Sequence, residues 1–182
     1  MTEKLKNVTI YTDGGCLGNP GPGGYGVVLL YGMRRKELSG GYRLTTSNRM
    51  ELMAAIAGLR ALKGRCAVTL YTDSQYLANA VMQGWARRWQ ANGWKRNKSD
   101  KALNPDLWQD LLALCDKHRV TFTWIKAHAG TPENERCDAL SREAAGHADL
   151  APDSIYEAQQ NPFNILVKKK GFPIIPSKTE KS

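Results

Sequence analysis

Two six-residue stretches of this chain are nearly the same: Val8-Thr9-Ile10-Tyr11-Thr12-Asp13 and Val68-Thr69-Leu70-Tyr71-Thr72-Asp73. Both alternate apolar and polar residues, which predicts a half-buried β-strand, and each strand ends at an aspartate. If the two strands are parallel neighbours, about 4.8 Å apart, their carboxylates project from one edge of the sheet and can share a cation. A strand-end aspartate can also cap the turn that follows it, and this alternative is open for each residue alone.

The patterns on either side of these strands predict an α/β fold. Further strands are predicted over residues 25–31, 36–43 and 120–126, whereas the glycine- and proline-rich residues 14–24 predict a loop. Helices are predicted from a cap at Ser47 or Asn48 to about residue 62, and over 74–82, 85–89, 105–118 and 132–148. This order favours a five-stranded mixed sheet flanked by helices, with an antiparallel front portion followed by parallel crossover units.

Length and composition are those of one globular domain. The chain has 182 residues, of which 42% are hydrophobic and 24% charged. No stretch approaches about 18 uninterrupted apolar residues, and no signal-peptide core follows Met1, so we expect a cytoplasmic protein that does not enter a membrane. No coiled-coil repeat is present, and we expect a monomer. The four cysteines are too widely spaced for a zinc knuckle or a redox pair, which predicts small, partly buried thiols: Cys16, Cys66, Cys115 and Cys137.

The net charge of +9 is unevenly distributed. Residues 85–101 carry six basic residues against one acid, and the last twenty residues carry five lysines against one acid. Residues 132–157 instead carry seven acids against two arginines. A concentrated basic segment suggests a polyanionic partner. We predict a folded domain at residues 1–148 and a basic, loosely ordered tail at 149–182, which is either a nucleic-acid-contacting arm or a solvated end.

Three more residues are candidates for the site formed by the two aspartates. Glu51 lies in the first turns of the helix that begins near Ser47, where an acid also interacts favourably with the helix dipole. Asp138 lies about two turns into the last helix, where it could instead pair with Arg142, four residues on. His128 is in a loop whose small neighbours suit a mobile proton carrier, although a plain loop histidine fits equally well.

Tryptophans alternate with basic residues between positions 85 and 98. The segment contains Trp85, Arg87, Arg88, Trp89, Trp94, Lys95, Arg96 and Lys98. Trp85 and Trp89 share one helix face, so core packing is an open alternative for these two. The cations have no such explanation, and phosphate binding along a nucleic-acid backbone accounts for them better.

Four motifs in order identify the family that the chain resembles. They are Tyr-Thr-Asp-Gly-Gly-Cys-Leu-Gly-Asn-Pro-Gly-Pro-Gly-Gly-Tyr-Gly at 11–26, Asn-Arg-Met-Glu-Leu-Met-Ala-Ala at 48–55, Thr-Asp-Ser-Gln-Tyr at 72–76 and His-Ala-Gly-Thr-Pro-Glu-Asn-Glu-Arg-Cys-Asp at 128–138. With these motifs, the chain closely resembles bacterial type 1 ribonuclease H over about residues 7–150. The resemblance implies a ribonuclease H-like fold and an endonuclease that cleaves the RNA strand of an RNA–DNA hybrid, leaving 5′-phosphate and 3′-hydroxyl ends.

The resemblance also implies roles for individual residues. Asp13, Glu51, Asp73 and Asp138 would bind two Mg²⁺ ions, for which Mn²⁺ can substitute, and His128 would assist proton movement or product release. Gly14, Ser47 and Gln75 would sense the RNA 2′-hydroxyl, Asn19, Thr46 and Asn48 would hold the DNA strand or its phosphate, and the region from Trp85 to Lys98 would grip the DNA backbone.

The chain departs from the family pattern at two positions. Gly15 stands where many relatives have serine, and Ser47 where many have asparagine; neither is an implied metal ligand. Two alternatives to a hybrid-cleaving enzyme are a nuclease of the same fold that acts on DNA or duplex RNA, and a hybrid-binding module without catalysis.

Overall fold

Five strands form one mixed sheet in the computed structural model, which describes residues 5–161. They are β1 (Lys6–Cys16), β2 (Gly21–Tyr31), β3 (Arg34–Thr45), β4 (Cys66–Thr72) and β5 (Arg119–Trp124), in the spatial order β3-β2-β1-β4-β5. The three N-terminal strands pair antiparallel, whereas β4 runs parallel to both β1 and β5. The predicted five-stranded mixed sheet is therefore confirmed.

Helices cover both faces of this sheet. Those in the described part of the chain are α1 (Ser47–Arg60), α2 (Gln75–Met82), α3 (Trp85–Ala91), α4 (Pro105–Lys117), α5 (Pro132–Ala145) and α6 (Ser154–Gln160). Neighbouring residues of β2 point to opposite faces: Val27 faces Gly58 of α1, and Gly26 faces Cys137 of α5. The main core lies between the sheet and α1, where Ile10, Leu70 and Ile56 are fully buried.

The prediction of a loop over residues 14–24 is wrong in its length. β1 continues to Cys16 and β2 begins at Gly21, so only residues 17–20 connect the two strands. A side chain at Gly24 or Gly26 would collide with the α5 backbone at Ser141 or Cys137. Both glycines therefore serve close packing of a helix on a strand, and the abundance of glycine in residues 14–24 made that segment resemble a loop.

The predicted cap of α1 also differs from the structure. Thr46, rather than Ser47 or Asn48, caps α1, because its Oγ1 accepts a hydrogen bond from the Arg49 backbone N at 3.3 Å. Helix α4 begins at Pro105 as predicted; the Asn104 carbonyl accepts from the Trp108 backbone N at 3.0 Å, but the Asn104 side chain makes no capping hydrogen bond. Its Nδ2 instead donates to the Tyr76 hydroxyl at 3.2 Å, which joins α4 to α2.

Residues 149–161 are more ordered than the loose tail that the sequence predicts. The Arg43 backbone N donates to the Ala151 carbonyl at 2.9 Å, and Asp153 is buried against Arg49 at 2.6 Å. Helix α6 follows directly, with Asp153 as its cap. The rest of the predicted tail, residues 162–182, lies outside the described residues.

The expectations for the cysteines and for membrane-spanning segments can be compared with the structure of residues 5–161. All four cysteines are unpaired thiols; Cys66 and Cys137 are buried, and the other two are half-buried. No helix in this part of the chain is long and apolar enough to span a membrane.

Candidate active site

Three carboxylates from three different elements meet at one edge of the sheet. Asp13 lies in β1 and Asp73 directly follows β4, and the parallel register pairs Thr12 with Thr72, so both aspartates reach the same edge. Glu51 comes from the second turn of α1. One oxygen from each carboxylate lies within 4.8 Å of the other two. The structure therefore brings together three of the four predicted metal ligands.

Glu51 reaches this edge because β1 packs very closely on α1. A side chain at Gly14 would collide with the backbone of Met50 and Glu51, so only glycine permits the approach. Glu51 is 8% exposed, and its Oε2 is buried without a hydrogen-bond partner among the described residues. An unpartnered carboxylate oxygen is costly in the interior, and a cation would supply the missing ligand.

Burial and mutual repulsion control the protonation of the cluster. Burial, followed by the charges of Asp73 and Asp138, raises the pKa of Asp13 to about 7, against a hydrogen bond of 2.7 Å from the Gly14 backbone N. Burial and then the charges of the two aspartates raise the pKa of Glu51 well above its ordinary value. A cation that binds here therefore competes with protons near neutral pH, and it relieves the repulsion between the carboxylates.

The donor set fits hard divalent cations. All the available ligand atoms are carboxylate oxygens, which Mg²⁺ and Mn²⁺ prefer, and there is no thiolate or imidazole in the cluster of Asp13, Glu51 and Asp73. These three residues could hold such an ion.

Asp138, the fourth predicted ligand, lies on α5 at the border of this cluster. Its charge contributes to the raised pKa of Asp13, so it belongs to the same electrostatic environment. Its carboxylate accepts a hydrogen bond from Arg142, one turn on, which is the ion pair that the sequence left open as an alternative. The role of Asp138 as a metal ligand stays a prediction.

His128 lies in the segment that connects β5 to α5. It is exposed and adopts a left-handed backbone conformation with φ 52°, and Gly130 follows with φ 81°. No group of three or more metal-binding side chains among residues 5–161 includes this histidine. Its predicted part in proton movement or product release stays a prediction.

The predicted substrate contacts at the start of α1 are grouped with the β1–β2 connection. The Ser47 backbone N donates to Asn19 Oδ1 at 3.2 Å, which attaches residues 17–20 to the first turn of α1. Thr46 is the helix cap and Asn48 is exposed beside it. Gly14 packs one turn further along the helix, against the backbone of Met50 and Glu51, so these five residues surround the first two turns of α1.

A second group of predicted contacts lines a groove of about 900 Å³ between α2, α3 and the loop after α3. Its walls include Gln75, Trp85, Arg88, Trp89, Lys95 and Arg96. Trp85 is 39% exposed, whereas Trp89 packs edge-on against the buried Trp108, with ring centroids 6.0 Å apart. Core packing therefore accounts for the position of the Trp89 side chain, but not for that of the more exposed Trp85.

Three of the predicted contacts in this segment lie outside the groove lining. Trp94 packs against the core, and Lys98 is exposed in the loop. Arg87 points to the other side of α3, where its Nη2 donates to Asp116 Oδ1 at 2.5 Å and to the Leu112 carbonyl at 3.4 Å. Arg87 and Arg88 are adjacent in sequence, but they face different surroundings.

The sequence analysis missed two side chains that contact Asp73. Asn134 Nδ2 donates to Asp73 Oδ2 at 3.1 Å, and Trp124 Nε1 donates to the Asp73 backbone carbonyl at 3.1 Å. One signal could have revealed Asn134: it lies four residues before Asp138 in the helical pattern, and therefore on the same face of α5.

Comparisons with known proteins agree with this geometry. The ribonuclease H family model matches residues 5–146. A ribonuclease H of Syntrophus aciditrophicus is 71% identical over 154 residues, which is 85% of this chain and 89% of that protein. A ribonuclease HI of Synechocystis is 60% identical over 142 residues, covering 78% of this chain and 89% of its own.

Solved structures of the same fold are also similar. LC9-RNase H1, described as a type 1 RNase H with the type 2 active-site motif, superposes with a TM-score of 0.72 at 30% identity, over 91% of this chain and 86% of that one. LC11-RNase H1 in complex with an RNA/DNA hybrid superposes with a TM-score of 0.59 at 26% identity, over 76% of this chain and 96% of its own. The predicted ribonuclease H-like fold is therefore confirmed.

Proposed function

The chain belongs to the ribonuclease H family, and from this premise we propose that its carboxylate cluster hydrolyses the RNA strand of RNA–DNA hybrids. Water adds to the phosphorus while the bond from phosphorus to the 3′ oxygen breaks, so the products carry a 5′-phosphate and a 3′-hydroxyl. The convergence of Asp13, Glu51 and Asp73 at one sheet edge carries the proposal, together with a buried Glu51 oxygen that has no partner among the described residues.

We assign Asp13, Glu51 and Asp73 as metal ligands, with Asp138 as a fourth, and Mg²⁺ as the metal, with Mn²⁺ as a substitute. When bound, such ions lower the pKa of the attacking water and offset the charge that develops on the departing 3′ oxygen. The chain contributes a preformed set of carboxylates on two strands and a helix, so little reorganisation is needed on binding. His128, on its exposed left-handed segment, is the group available for proton movement or for product release.

Substrate recognition is divided between the two surfaces described above. We assign Gly14, Ser47 and Gln75 to the recognition of RNA by its 2′-hydroxyl, and Asn19, Thr46 and Asn48 to the binding of the DNA strand or its phosphate. The groove beside α3 offers Arg88, Lys95 and Arg96 to phosphates, and Trp85 as an exposed aromatic surface. Residues 1–148 carry all of these groups. The cytoplasmic location and the monomeric state stay predictions.

The test of the proposed function uses one labelled strand in four forms: an RNA–DNA hybrid, duplex RNA, single-stranded RNA and duplex DNA. Each is incubated with Mg²⁺ and with chelator, beside the Asp13→Asn variant. We expect cleavage of the RNA strand of the hybrid alone, lost in chelator and in the variant. Cleavage in excess chelator would refute metal dependence, and indiscriminate cleavage would favour a nuclease of another specificity. Intact hybrid binding without any product would identify a binding module.

The groove predicts different effects for two adjacent arginines. We expect Arg88→Ala to weaken hybrid binding by about three- to tenfold and to reduce the salt slope of log K by about 1, because one phosphate contact is lost. Arg87→Ala removes the same charge from a site that is already paired with Asp116, so it is the matched control. The measurement is a titration at several salt concentrations in the Asp13→Asn background. Equal effects of the two variants would show that overall charge, rather than the groove, controls binding.

A further inference from the structure

We propose that Asn134 is a positioning residue for Asp73, which holds the carboxylate in the orientation that binds a cation. This inference rests on the proposed function, because it assigns Asp73 as a metal ligand. It concerns a residue outside the acidic set, on a different element from the one that carries Asp73. Asn134 belongs to the first turn of α5, whereas Asp73 follows β4, 61 residues earlier in the chain.

Two hydrogen bonds hold Asp73 from two directions. Trp124 Nε1 donates to its backbone carbonyl at 3.1 Å, which fixes the main chain at the end of β4. Asn134 Nδ2 donates to its carboxylate Oδ2 at 3.1 Å, which fixes the side-chain torsion. Because the Asn134 amide uses only one lone pair of Oδ2, the carboxylate of Asp73 keeps acceptor capacity for a ligand in the cluster with Asp13 and Glu51.

Among the described residues, the Asn134 side chain makes one hydrogen bond, the bond to Asp73. Its exposed fraction is 2%, and its Oδ1 is buried without a hydrogen-bond partner in residues 5–161. A buried amide oxygen without a partner carries a desolvation cost that an apolar side chain of similar size does not carry. Asparagine at this position therefore lowers the stability of the fold. Its hydrogen bond to Asp73 is the interaction that accounts for its presence. A residue with a purely structural role would instead be expected to raise the stability of the fold.

The experiment measures Mn²⁺ binding to the full chain without substrate, by the electron paramagnetic resonance signal of the free ion. Asn134→Leu keeps the approximate shape of the side chain and removes the donor, and Asn134→Ala removes both. We expect both variants to bind Mn²⁺ about 10- to 100-fold more weakly than the wild type. We expect Asn134→Leu to unfold at the same urea concentration as the wild type or a higher one.

The matched control is Ser141→Ala, two turns further along α5. Ser141 is 3% exposed, and its Oγ donates to the Gly24 carbonyl at 2.9 Å, so this variant also removes a buried hydrogen bond between α5 and the sheet. Its Mn²⁺ affinity should equal that of the wild type. In hybrid cleavage, the rate deficit of the Asn134 variants should shrink as the metal concentration rises, while KM for the hybrid stays constant.

The outcomes separate this inference from the proposed function. Wild-type affinity in both Asn134 variants would overturn the positioning role and leave the metal site intact. An equal loss of Mn²⁺ affinity in Ser141→Ala would assign the effect to the packing of α5, and would also overturn the positioning role of Asn134. If the wild type binds no Mn²⁺, the proposed metal site fails, and the role of Asn134 fails with it.

Discussion

Replacing Glu51 with glutamine is expected to lower kcat for hybrid cleavage by about 1,000-fold, which corresponds to about 4 kcal/mol of activation free energy. The same substitution is expected to raise the free energy of unfolding of the metal-free protein by about 0.5–2 kcal/mol. The enzyme would thus become more stable as it loses activity.

Both effects have their origin in the environment of one buried side chain. Glu51 is 8% exposed and faces Asp13 and Asp73, whose charges add to burial in raising its pKa. A glutamine has the same shape but carries no charge, and its amide N–H groups can donate to the two aspartates. Repulsion is thereby replaced by hydrogen bonds in the metal-free protein, whereas a cation loses one charged ligand.

Urea denaturation in chelator and steady-state kinetics with Mg²⁺ measure the two effects. The control is Glu143→Gln on α5, which neutralises an exposed glutamate that forms a long ion pair, 3.6 Å from Arg136. Both quantities should stay near their wild-type values in this control. A kcat within tenfold of wild type for Glu51→Gln would exclude Glu51 as a metal ligand, and a loss of stability would contradict the repulsion inferred for the cluster.

Replacing Asp153 with alanine is expected to lower the free energy of unfolding by about 3–5 kcal/mol, because it leaves a buried guanidinium partly unpaired. The Arg49 side chain is 3% exposed, and Asp153 accepts from it twice, at 2.6 and 2.9 Å. Asp153 also accepts from the Thr45 hydroxyl at 2.7 Å and caps α6. Asp106, on the other side of Arg49, cannot replace these contacts.

This ion cluster joins four elements around the start of α1. Arg49 lies in α1, Thr45 ends β3, Asp106 belongs to the first turn of α4, and Asp153 precedes α6. The family model ends at residue 146, so Asp153 lies beyond the matched region. The segment at 149–160 is nevertheless part of the folded unit, because it supplies the partner of a buried charge.

Glu157→Ala is the matched control for this prediction. Glu157 lies in the same short helix and pairs with Arg43 at 2.8 Å, but the Arg43 side chain is 62% exposed. Such surface pairs contribute about 0.2–1 kcal/mol, so the control should unfold close to the wild-type urea midpoint. If both variants lose the same small amount of stability, burial of the Arg49 cluster has no energetic consequence.

Several features of the fold and of the site could be predicted from the sequence because their causes are local. The alternation in 8–13 and 68–73 specifies two strands, and aspartates at corresponding positions of parallel neighbours must reach one sheet edge. Pro105 and Pro132 mark helix starts through their fixed φ angles. The acidic cluster of Asp13, Glu51 and Asp73 follows from these elements and from the motif around Glu51.

Other features depend on which surfaces meet, and short-range patterns do not contain that information. Gly24 resembles a turn residue until α5 is seen to lie against it. Arg87 and Arg88 are equivalent in composition, but about 100° of helix rotation separates them, so one pairs with Asp116 and the other lines the groove. Only the packing of α3 between α4 and the groove distinguishes them.

The sequence by itself determined the strands, most of the helices and the chemical class of the site, since hydrogen bonding and side-chain alternation act between near neighbours. The tertiary structure decided that Asn134 holds Asp73, that Arg49 is buried between two carboxylates, and that residues 149–160 belong to the fold. These contacts join residues that are 57 to 104 positions apart. Such pairs form only when sheet register and helix packing bring distant segments together, and no local pattern specifies either one.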